Sequence, residues 1–398
     1  MPSIEGGGVE KNLFIVSNYF SKKFKNIYLI TTSTEFKKKF DKRIKIISPK
    51  INFWKKYGRR IKYFICLILL VKTLIKNRDI KVFSFQANIY CLIICKLLNV
   101  KIVVRSNSAP IGWSKNFFKK FIFKKLLKLA DITMVNSIEF KKELKRNFNV
   151  ESKVIYNPLN KEEIIRLSKK KINNTFFKRN TLNIINVGRF TDQKDHLTLL
   201  RAINLIKHRI NLKLMIVGRG INLILMKDYI NDNNLKKIVK IINFTNNPFP
   251  LIKRSNLFVL TSTFEGLPNV LLETLVLKKF IISSKCQTGP SEILLNGKGG
   301  LLFQVKNYKE LANKIGTELT EKTFKEQVEK QSKNAGMEAA EIAKEKAISA
   351  SEIEKAQTIE AREIEKRKAI DEARILQLQQ IEVAEQNKQI AIANKSEE

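Results

Sequence analysis

The chain has 398 residues, enough for two hydrophobic cores of ordinary domain size and a further segment. Of its 75 basic and 37 acidic residues, the last 83 positions hold 14 and 18, so residues 1–315 hold 61 and 19 and carry a net charge of +42. Four cysteines without the spacing of a metal finger or a secreted framework, and uncharged runs too short to span a bilayer, exclude a zinc finger, a disulfide scaffold and a transmembrane helix.

The amino-terminal region opens on a glycine-rich turn, Gly6, Gly7 and Gly8, which leads into a helical pattern over Leu13 to Phe20 without a preceding apolar strand. Either the true start lies upstream, which we favour, or this domain lacks an inner strand. Strands are then predicted at 27–31, 44–47, 80–85 and 101–105, with helices at 63–75 and 89–98. This alternation predicts a parallel sheet with helices on both faces.

The four cysteines lie in apolar or loop stretches, at Cys66, Cys91, Cys95 and Cys286. The second and third are one helical turn apart, a spacing that suits a metal, but no histidine or acid accompanies them. We therefore predict reduced core cysteines in a cytosolic protein.

Residues 113–129 form a basic amphipathic stretch in which aromatic and aliphatic residues alternate with six lysines. One interpretation is a helix that lies in a membrane interface, with its lysines on anionic lipid. The other is a helix that packs its apolar face on the sheet, and the two can coexist. We predict peripheral membrane binding through this stretch.

A strand at 130–137, a helix to Phe148 and the turn Tyr156-Asn157-Pro158 follow. Residues 159–180 are polar and lysine-rich, and a hinge is predicted there.

The next strand, 182–187, ends in Gly188 and Arg189, and Lys194 follows five residues after the arginine. A guanidinium and an ammonium at this point suit a leaving diphosphate, because they stabilise the charge that builds up on it. In so basic a chain, the alternative is a pair of ordinary surface cations. A later Gly-Arg-Gly turn, 218–220, lacks the third glycine of a dinucleotide site and is weak evidence for NAD.

The most informative stretch is 263–273, which places two acids, Glu265 and Glu273, around a transition from loop to helix. The apolar run before it predicts a buried parallel strand, so both acids lie at the carboxyl end of the sheet, where open α/β sheets bind ligands. Gly266 allows close approach of a ligand, and Pro268 suits the first helical turn, whose free N–H groups favour a phosphate. The alternative is a pair of ordinary acids stabilised by the helix dipole.

These residues together resemble the retaining glycosyltransferases of the family-four, GT-B type, over about residues 3–315. The resemblance implies that Glu265 lies by the transferred sugar and that Glu273 binds the ribose hydroxyls. It assigns further donor-binding positions to Gly188, Arg189, Lys194, Gly266, Leu267 and Asn269. It places Gly6, Gly7 and Gly8 at the donor phosphates or the acceptor, and Asn107 on the acceptor side, where the family often has a histidine. The histidines of this chain, His196 and His208, fall on a predicted helix, where a packed or solvated role is expected.

The implied fold is two Rossmann-like domains that face a cleft, with an acceptor domain at 1–158, a linker at 159–180 and a donor domain at 181–315. The implied reaction transfers a sugar from a nucleotide diphosphate sugar to a lipid-linked or polysaccharide acceptor with retention, without a metal or other cofactor. Such an enzyme would work in lipopolysaccharide or capsule assembly, in the cytoplasm and peripherally on the inner face of the membrane.

From residue 316 the composition changes to Ala, Glu, Lys, Ile and Gln, and 338–395 is predicted as one long helix. This tail, 316–398, resembles the coiled-coil region of flotillin-like, band-seven proteins and suggests an oligomer. One alternative function is therefore a fused helical membrane scaffold with an inactive glycosyltransferase-like body. The basic body also suggests a nucleic-acid binder, but no recognition module is visible, so no specific nucleic acid is expected.

Overall fold

The computed structural model describes residues 1–4, 7–49, 58–77, 79–86, 88–107, 117–173 and 175–317. They form parallel sheets flanked by helices. The strands are β1 Ile27–Ile30, β2 Ile44–Ile47, β3 Val82–Ser84, β4 Ile102–Arg105, β5 Ile132–Val135, β6 Lys153–Val154, β7 Leu182–Val187, β8 Leu212–Gly218, β9 Val239–Asn243, β10 Leu257–Leu260, β11 Phe280–Ser284 and β12 Leu301–Phe303. The helices are α1 Gly8–Lys23, α2 Arg59–Lys76, α3 Asn88–Leu97, α4 Phe117–Leu127, α5 Ile138–Phe148, α6 Lys161–Ser168, α7 His196–Ile206, α8 Leu223–Asp232, α9 Phe249–Arg254, α10 Asn269–Val276, α11 Pro290–Ile293 and α12 Tyr308–Thr317.

The amino-terminal lobe holds the parallel pair β1-β2 and the parallel sheet β3-β4-β5-β6. Residues 1–4, where the sequence shows no apolar strand, run beside the end of β1. There the Thr32 N–H donates to the Pro2 carbonyl at 3.0 Å. Ile4 packs in a cluster with Phe85, at the end of β3, so the segment lies against both groups of strands.

Three consecutive helices of this lobe, α2, α3 and α4, lie side by side, since α3 contacts both of the others. Each places apolar side chains in one shared core with β4 and β5, including Leu74, Leu92 and Leu127. α5 completes the core. Ser137 caps it by accepting from the Phe140 N–H, which satisfies one of the free donors at the helix start.

The carboxyl-terminal lobe is built on a six-stranded sheet in the order β12-β11-β10-β7-β8-β9, and every pair in it is parallel. All four residues of β10 are buried, as expected of a central strand that is covered by helices on both faces. The direction in which successive strands are added reverses at β7, because β8 and β9 lie on one side of it and β10, β11 and β12 lie on the other. The fold class predicted from the sequence, α/β with parallel sheets, is confirmed.

The predicted linker, 159–180, contains a helix and is not a plain connection. The Asn160 side chain caps α6 by accepting from the Glu163 N–H at 3.0 Å. Ile164 is buried, and Leu167 packs beside it against α9 and α10. Two apolar residues three apart are enough to attach this one short helix to an existing core, although the segment as a whole is polar.

At the other end, α12 continues through Gly316 to Thr317, so the change in composition at residue 316 does not coincide with the end of this helix. The predicted long helix at 338–395 lies outside the described residues, as do the other tail residues from 318 onward.

Candidate active site

The two acids singled out in the sequence are both buried beside the carboxyl end of β10. Glu265 lies in the loop after the strand, where its carboxylate accepts from the Ser262 hydroxyl at 2.6 Å. The Thr288 hydroxyl, after β11, donates to the Glu265 carbonyl at 2.5 Å. Glu273 lies one turn inside α10. The ends of two neighbouring strands therefore hold in place the loop 261–268, which carries Glu265 and which we call the acid loop.

Lys194 forms an ion pair with Glu265, in a contact that leaves both side chains largely shielded from water. The lysine ends a short 3-10 turn after β7, where its carbonyl accepts from the Thr261 hydroxyl at 2.8 Å. Its aliphatic stem lies over Gly188, because a Cβ there would be 3.5 Å from the Lys194 Cδ. The structure thus brings together two residues that the sequence placed at the diphosphate and the sugar. Arg189 follows Gly188, and its side chain is exposed and forms no hydrogen bond or ion pair within the described ranges.

Glu273 is paired with a residue that the sequence did not identify, Lys11. The two atoms Lys11 Nζ and Glu273 Oε1 are 2.5 Å apart, and the Glu273 residue is only 4% exposed. Burial raises the pKa of Glu273, and the charge of Lys11 opposes this rise. Lys11 also lies over the ring of Phe249, 5.0 Å from its centroid. The signal that could have found it is a lysine in the first turn of a helix, near the positive end of the dipole.

The glycine-rich turn lies opposite the start of α10. Gly7 is the residue before α1 and Gly8 is its first residue, whereas Gly6 lies outside the described residues. The Asn269 side chain donates to the Gly8 carbonyl at 2.9 Å and to the Asn12 side-chain oxygen at 3.0 Å. Two helix amino termini therefore meet here, and their free N–H groups form an environment that favours an anion.

Asn107 lies against the acid loop from the amino-terminal lobe. A Cβ on Gly266 would be 2.3 Å from the Asn107 carbonyl oxygen, so only glycine fits at this approach. The Asn107 side chain is held in turn, since it donates to the Phe85 carbonyl at 3.0 Å and accepts from Arg105 Nε at 3.3 Å. Leu267 is buried in the same loop.

Side-chain amides join the buried Arg105 to the acid loop, and the Tyr-Asn-Pro turn is the one sequence signal that points to this connection. Arg105 Nη2 donates to the Asn157 side-chain oxygen at 2.9 Å. The Asn157 amide donates to the Leu267 carbonyl at 2.9 Å and to the Asn269 side-chain oxygen at 2.6 Å. Asn157 therefore fixes both ends of the turn that leads into α10.

Two glutamates form a reciprocal contact between α5 and the start of α11. The Glu292 carboxylate accepts from the Ile138 N–H at 3.0 Å and from the Tyr156 hydroxyl at 2.8 Å. Glu139 accepts from the Gly289 N–H at 3.1 Å. Burial raises the pKa of Glu139, the bond from Gly289 opposes this, and the nearby Glu292 adds to the rise.

His196, for which a packed or solvated role was expected, is packed in the core. It is buried at the start of α7, edge-on to the Phe190 ring, and burial lowers its pKa to about 3. Cys66, Cys95 and Cys286 are buried, Cys91 is half-buried, and burial raises the pKa of the Cys286 thiol to about 12. Among the described residues, no cluster of three or more His, Cys, Asp and Glu side chains is arranged to hold a metal ion.

The predicted membrane stretch, 113–129, coincides in part with α4, and its first four residues lie outside the described ranges. Leu127 is buried in the core, whereas Phe121 and Ile122 are exposed, and the Lys125 ammonium lies 4.8 Å from the Phe121 ring centroid. No helix in the described part of the chain has the length and apolar character needed to cross a membrane.

Residues 168–336 match the family model described as glycosyl transferases group 1. An uncharacterized glycosyltransferase of Methanocaldococcus jannaschii is 33% identical over 208 residues, which are 49% of this chain and 51% of that protein.

A second relative is the N-acetylgalactosamine-N,N'-diacetylbacillosaminyl-diphospho-undecaprenol 4-alpha-N-acetylgalactosaminyltransferase of Campylobacter jejuni. It is 29% identical over 215 residues, 52% of this chain and 57% of that protein. The chain thus spans about half the length of the curated relatives it matches.

Among solved structures, HepE of Anabaena in complex with UDP superposes with a TM-score of 0.66 at 17% identity, over 88% of this chain and 97% of that one. The similarity to HepE is one of fold, because the sequence identity is low. The family match covers the carboxyl-terminal lobe, which carries both Glu265 and Glu273. Residues 168–336 are therefore a domain of the glycosyl transferases group 1 family, in a chain that has the GT-B glycosyltransferase fold.

Proposed function

We propose that this protein transfers a sugar from a nucleoside diphosphate sugar to a hydroxyl of a lipid-linked or polysaccharide acceptor, with retention at the anomeric carbon. The observation that carries the proposal is a pair of buried carboxylates, each held by a lysine, beside two converging helix amino termini. Carboxylates accept hydrogen bonds from sugar hydroxyls. Cationic side chains and the free N–H groups at helix amino termini bind phosphates. A nucleoside diphosphate sugar presents both kinds of group on one molecule.

In this proposal each charged group has a separate task. Glu273 accepts from the ribose hydroxyls and Glu265 from the hydroxyls of the transferred sugar. During transfer, the acceptor oxygen bonds to the anomeric carbon while the bond from that carbon to the diphosphate breaks, and the proton of the acceptor hydroxyl passes to the departing phosphate oxygen. Arg189, Lys194 and the two helix amino termini stabilise the negative charge on the leaving diphosphate, so the proposal requires no metal or other cofactor.

UDP is the first nucleotide to consider, because a solved structure of the same fold is a complex with UDP. The acceptor is expected on the side of Asn107, where the amino-terminal lobe meets the acid loop at Gly266. Retention rests on the resemblance to the family, and the anomeric proton signal of the product in NMR tests it.

A lipid-linked acceptor is favoured by the Campylobacter jejuni relative, whose name specifies a diphospho-undecaprenol-linked substrate. An acceptor of this kind is reached from a membrane surface. We accordingly propose a peripheral location on the cytoplasmic face of the membrane, with the basic stretch 113–129 on the lipid, and a role in assembly of cell-envelope glycans.

The experiment that tests the proposal measures thermal unfolding of the full chain with UDP, GDP and ADP, each added separately. A ligand that binds only the folded state raises the melting temperature by mass action. We expect a concentration-dependent rise with one of the nucleotides and its loss in Glu273→Ala. Glu265→Gln should keep the rise and lose turnover, as it retains size and one hydrogen-bonding oxygen. If none of the three nucleotides raised the melting temperature, the proposed donor site would be overturned.

A further inference from the structure

The outer surface of α2 carries a stripe of apolar side chains that no described part of the chain covers. Ile61, Phe64, Ile68 and Ile75 follow one another at spacings of three, four and seven residues, which place them on one face of a helix. All four are exposed, and Phe64 reaches 66%. The stripe does not complete the core, because Leu70 and Leu74 already point into it.

α3 repeats this arrangement. Tyr90, Ile93 and Leu97 lie at spacings of three and four residues and are exposed, and Leu97 reaches 80%. The inward side of this helix is again occupied, by Leu92 and Cys95. Because α3 contacts both α2 and α4, the two stripes and the exposed Phe121 and Ile122 of α4 belong to one surface, which we call the α2–α4 face.

A helix that is apolar on two sides needs apolar surroundings on both. Single exposed apolar residues are ordinary, whereas stripes on adjacent helices form the kind of patch that marks an interaction site. The α2–α4 face therefore calls for a second apolar environment in addition to the core.

The charges around these stripes are of one sign. The three helices contain no Asp or Glu and hold ten Lys and Arg, five on α2, one on α3 and four on α4. The one on α3, Lys96, is paired with Asp131 at 3.1 Å. Lys72 lies within the α2 stripe and Lys76 follows it, and both are exposed.

A protein partner that covered this face would have to bury its lysines or match them with acids at fixed positions. An anionic bilayer needs no such match, because lysine stems cover apolar surface while their ammonium groups extend to the lipid phosphates. It also supplies a continuous apolar layer below the headgroups. The combination of apolar stripes and unopposed cations thus fits lipid better than protein.

We propose that the α2–α4 face is a membrane-docking surface that rests on anionic phospholipid, with Phe64 and Leu97 at the boundary of the acyl chains and Lys72 and Lys76 at the headgroups. This extends the location proposed above from one basic helix to a three-helix surface. It does not depend on sugar transfer, since it rests on the exposed residues of the amino-terminal lobe alone.

The test is co-sedimentation of the full chain with vesicles of phosphatidylglycerol and phosphatidylethanolamine, compared with vesicles of phosphatidylcholine alone. The double variant Phe64→Ser/Leu97→Ser is compared with Ile221→Ser/Ile224→Ser, a change of the same kind at residues of the other lobe that are 82% and 71% exposed. We expect the wild type and the control to bind anionic vesicles, and the first variant to bind at least about tenfold more weakly, given the loss of two large apolar groups.

The charge is tested in the same assay by Lys72→Glu, with Lys227→Glu on α8 as its control. Only the first should weaken binding, and added salt should reduce the difference because it screens the headgroup charge. Melting temperatures with and without UDP show that each variant is folded. They also separate the two proposals, because a protein that ignores every nucleotide can still bind vesicles.

Equal binding to both vesicle types, or full binding by Phe64→Ser/Leu97→Ser, would overturn the proposal. So would light scattering that shows a dimer in the wild type and a monomer in this variant, as the face would then be covered by a second copy.

Discussion

Lys11 and Glu273 stand 262 positions apart in the chain and form an ion pair between α1 and the helix that follows the acid loop. The glutamate has no other side-chain partner among the described residues. If Glu273 receives the ribose of the donor, the ribose hydroxyls must replace Lys11 or share the carboxylate with it. The contact therefore couples the position of α1, in the amino-terminal lobe, to occupancy of the proposed donor site.

Replacing Lys11 with methionine should destabilise the protein in a pH-dependent way. The pKa of Glu273 is raised by burial and is held down in part by Lys11, so the variant should raise it further. A buried carboxyl with a raised pKa costs stability as the pH rises from its ordinary pKa through its folded one, because it must ionise without compensation. We expect a loss of about 1 to 3 kcal/mol at pH 7, less than for a fully buried pair because the Lys11 side chain is 34% exposed.

Urea unfolding of the Lys11→Met protein at pH 7 and at pH 5 measures this effect, with Lys11→Arg as the control that keeps the charge. The loss should be smaller at pH 5, where more of the Glu273 carboxyl is protonated in the variant. An equal loss at both pH values would mean that Lys11 contributes by packing, for example on Phe249, and not by its charge.

The part of this site that could be predicted from the sequence is the part encoded in short stretches. The apolar run at 257–260 gives a buried strand, and the order of Lys194 and Glu265 after two strands of one parallel sheet places both at its carboxyl edge. Lys11 could not be predicted in the same way, since its partner is fixed by how the two lobes meet. The same holds for Glu292, whose role depends on the distant start of α5.

The ion pair of Lys194 and Glu265 predicts different effects for its two members. Lys194→Met should weaken binding of UDP at least about tenfold and leave uridine nearly unaffected, because a charge-assisted contact to the diphosphate is lost. Glu265→Gln should change the affinity for either ligand little and lower turnover by about a hundredfold or more, if the carboxylate acts on the sugar in the transition state.

Isothermal titration with UDP and with uridine separates these two cases, and Lys227→Met is a control for the loss of one distant positive charge. Equal weakening of UDP and uridine by Lys194→Met would place the lysine away from the phosphates and remove it from the proposed clamp.

Glu292 should stabilise the contact between the two lobes at the start of α5. Its carboxylate accepts from the first N–H groups of that helix, where a negative charge is favoured by the dipole. Glu292→Gln keeps the shape and removes the charge, and we expect a loss of about 1 kcal/mol in the free energy of unfolding.

Tyr156→Phe removes the hydroxyl that donates to Glu292, so the double variant completes a cycle that reports on the coupling of these two side chains. Two effects that add without any interaction would show that the hydroxyl and the carboxylate act independently, contrary to the contact in the structure.

Gly266, the glycine of the acid loop, should not tolerate even an added methyl group. An added Cβ would be 2.3 Å from the carbonyl oxygen of Asn107, and this atom belongs to the backbone, which cannot turn aside as a side chain does. Gly266→Ala must therefore move the loop of Asn107 away from the acid loop or unfold one of them. We expect a loss of about 1 to 3 kcal/mol in the free energy of unfolding, as for an overpacked core, together with loss of turnover.

The matched control is Gly58→Ala at the start of α2, where an added Cβ has no neighbour within 4 Å among the described residues. Thermal unfolding and UDP binding should be measured on both, because retained UDP affinity in Gly266→Ala would show that the donor site forms without the contact to Asn107. Turnover equal to that of Gly58→Ala would mean instead that the approach of the two loops is not needed for the reaction.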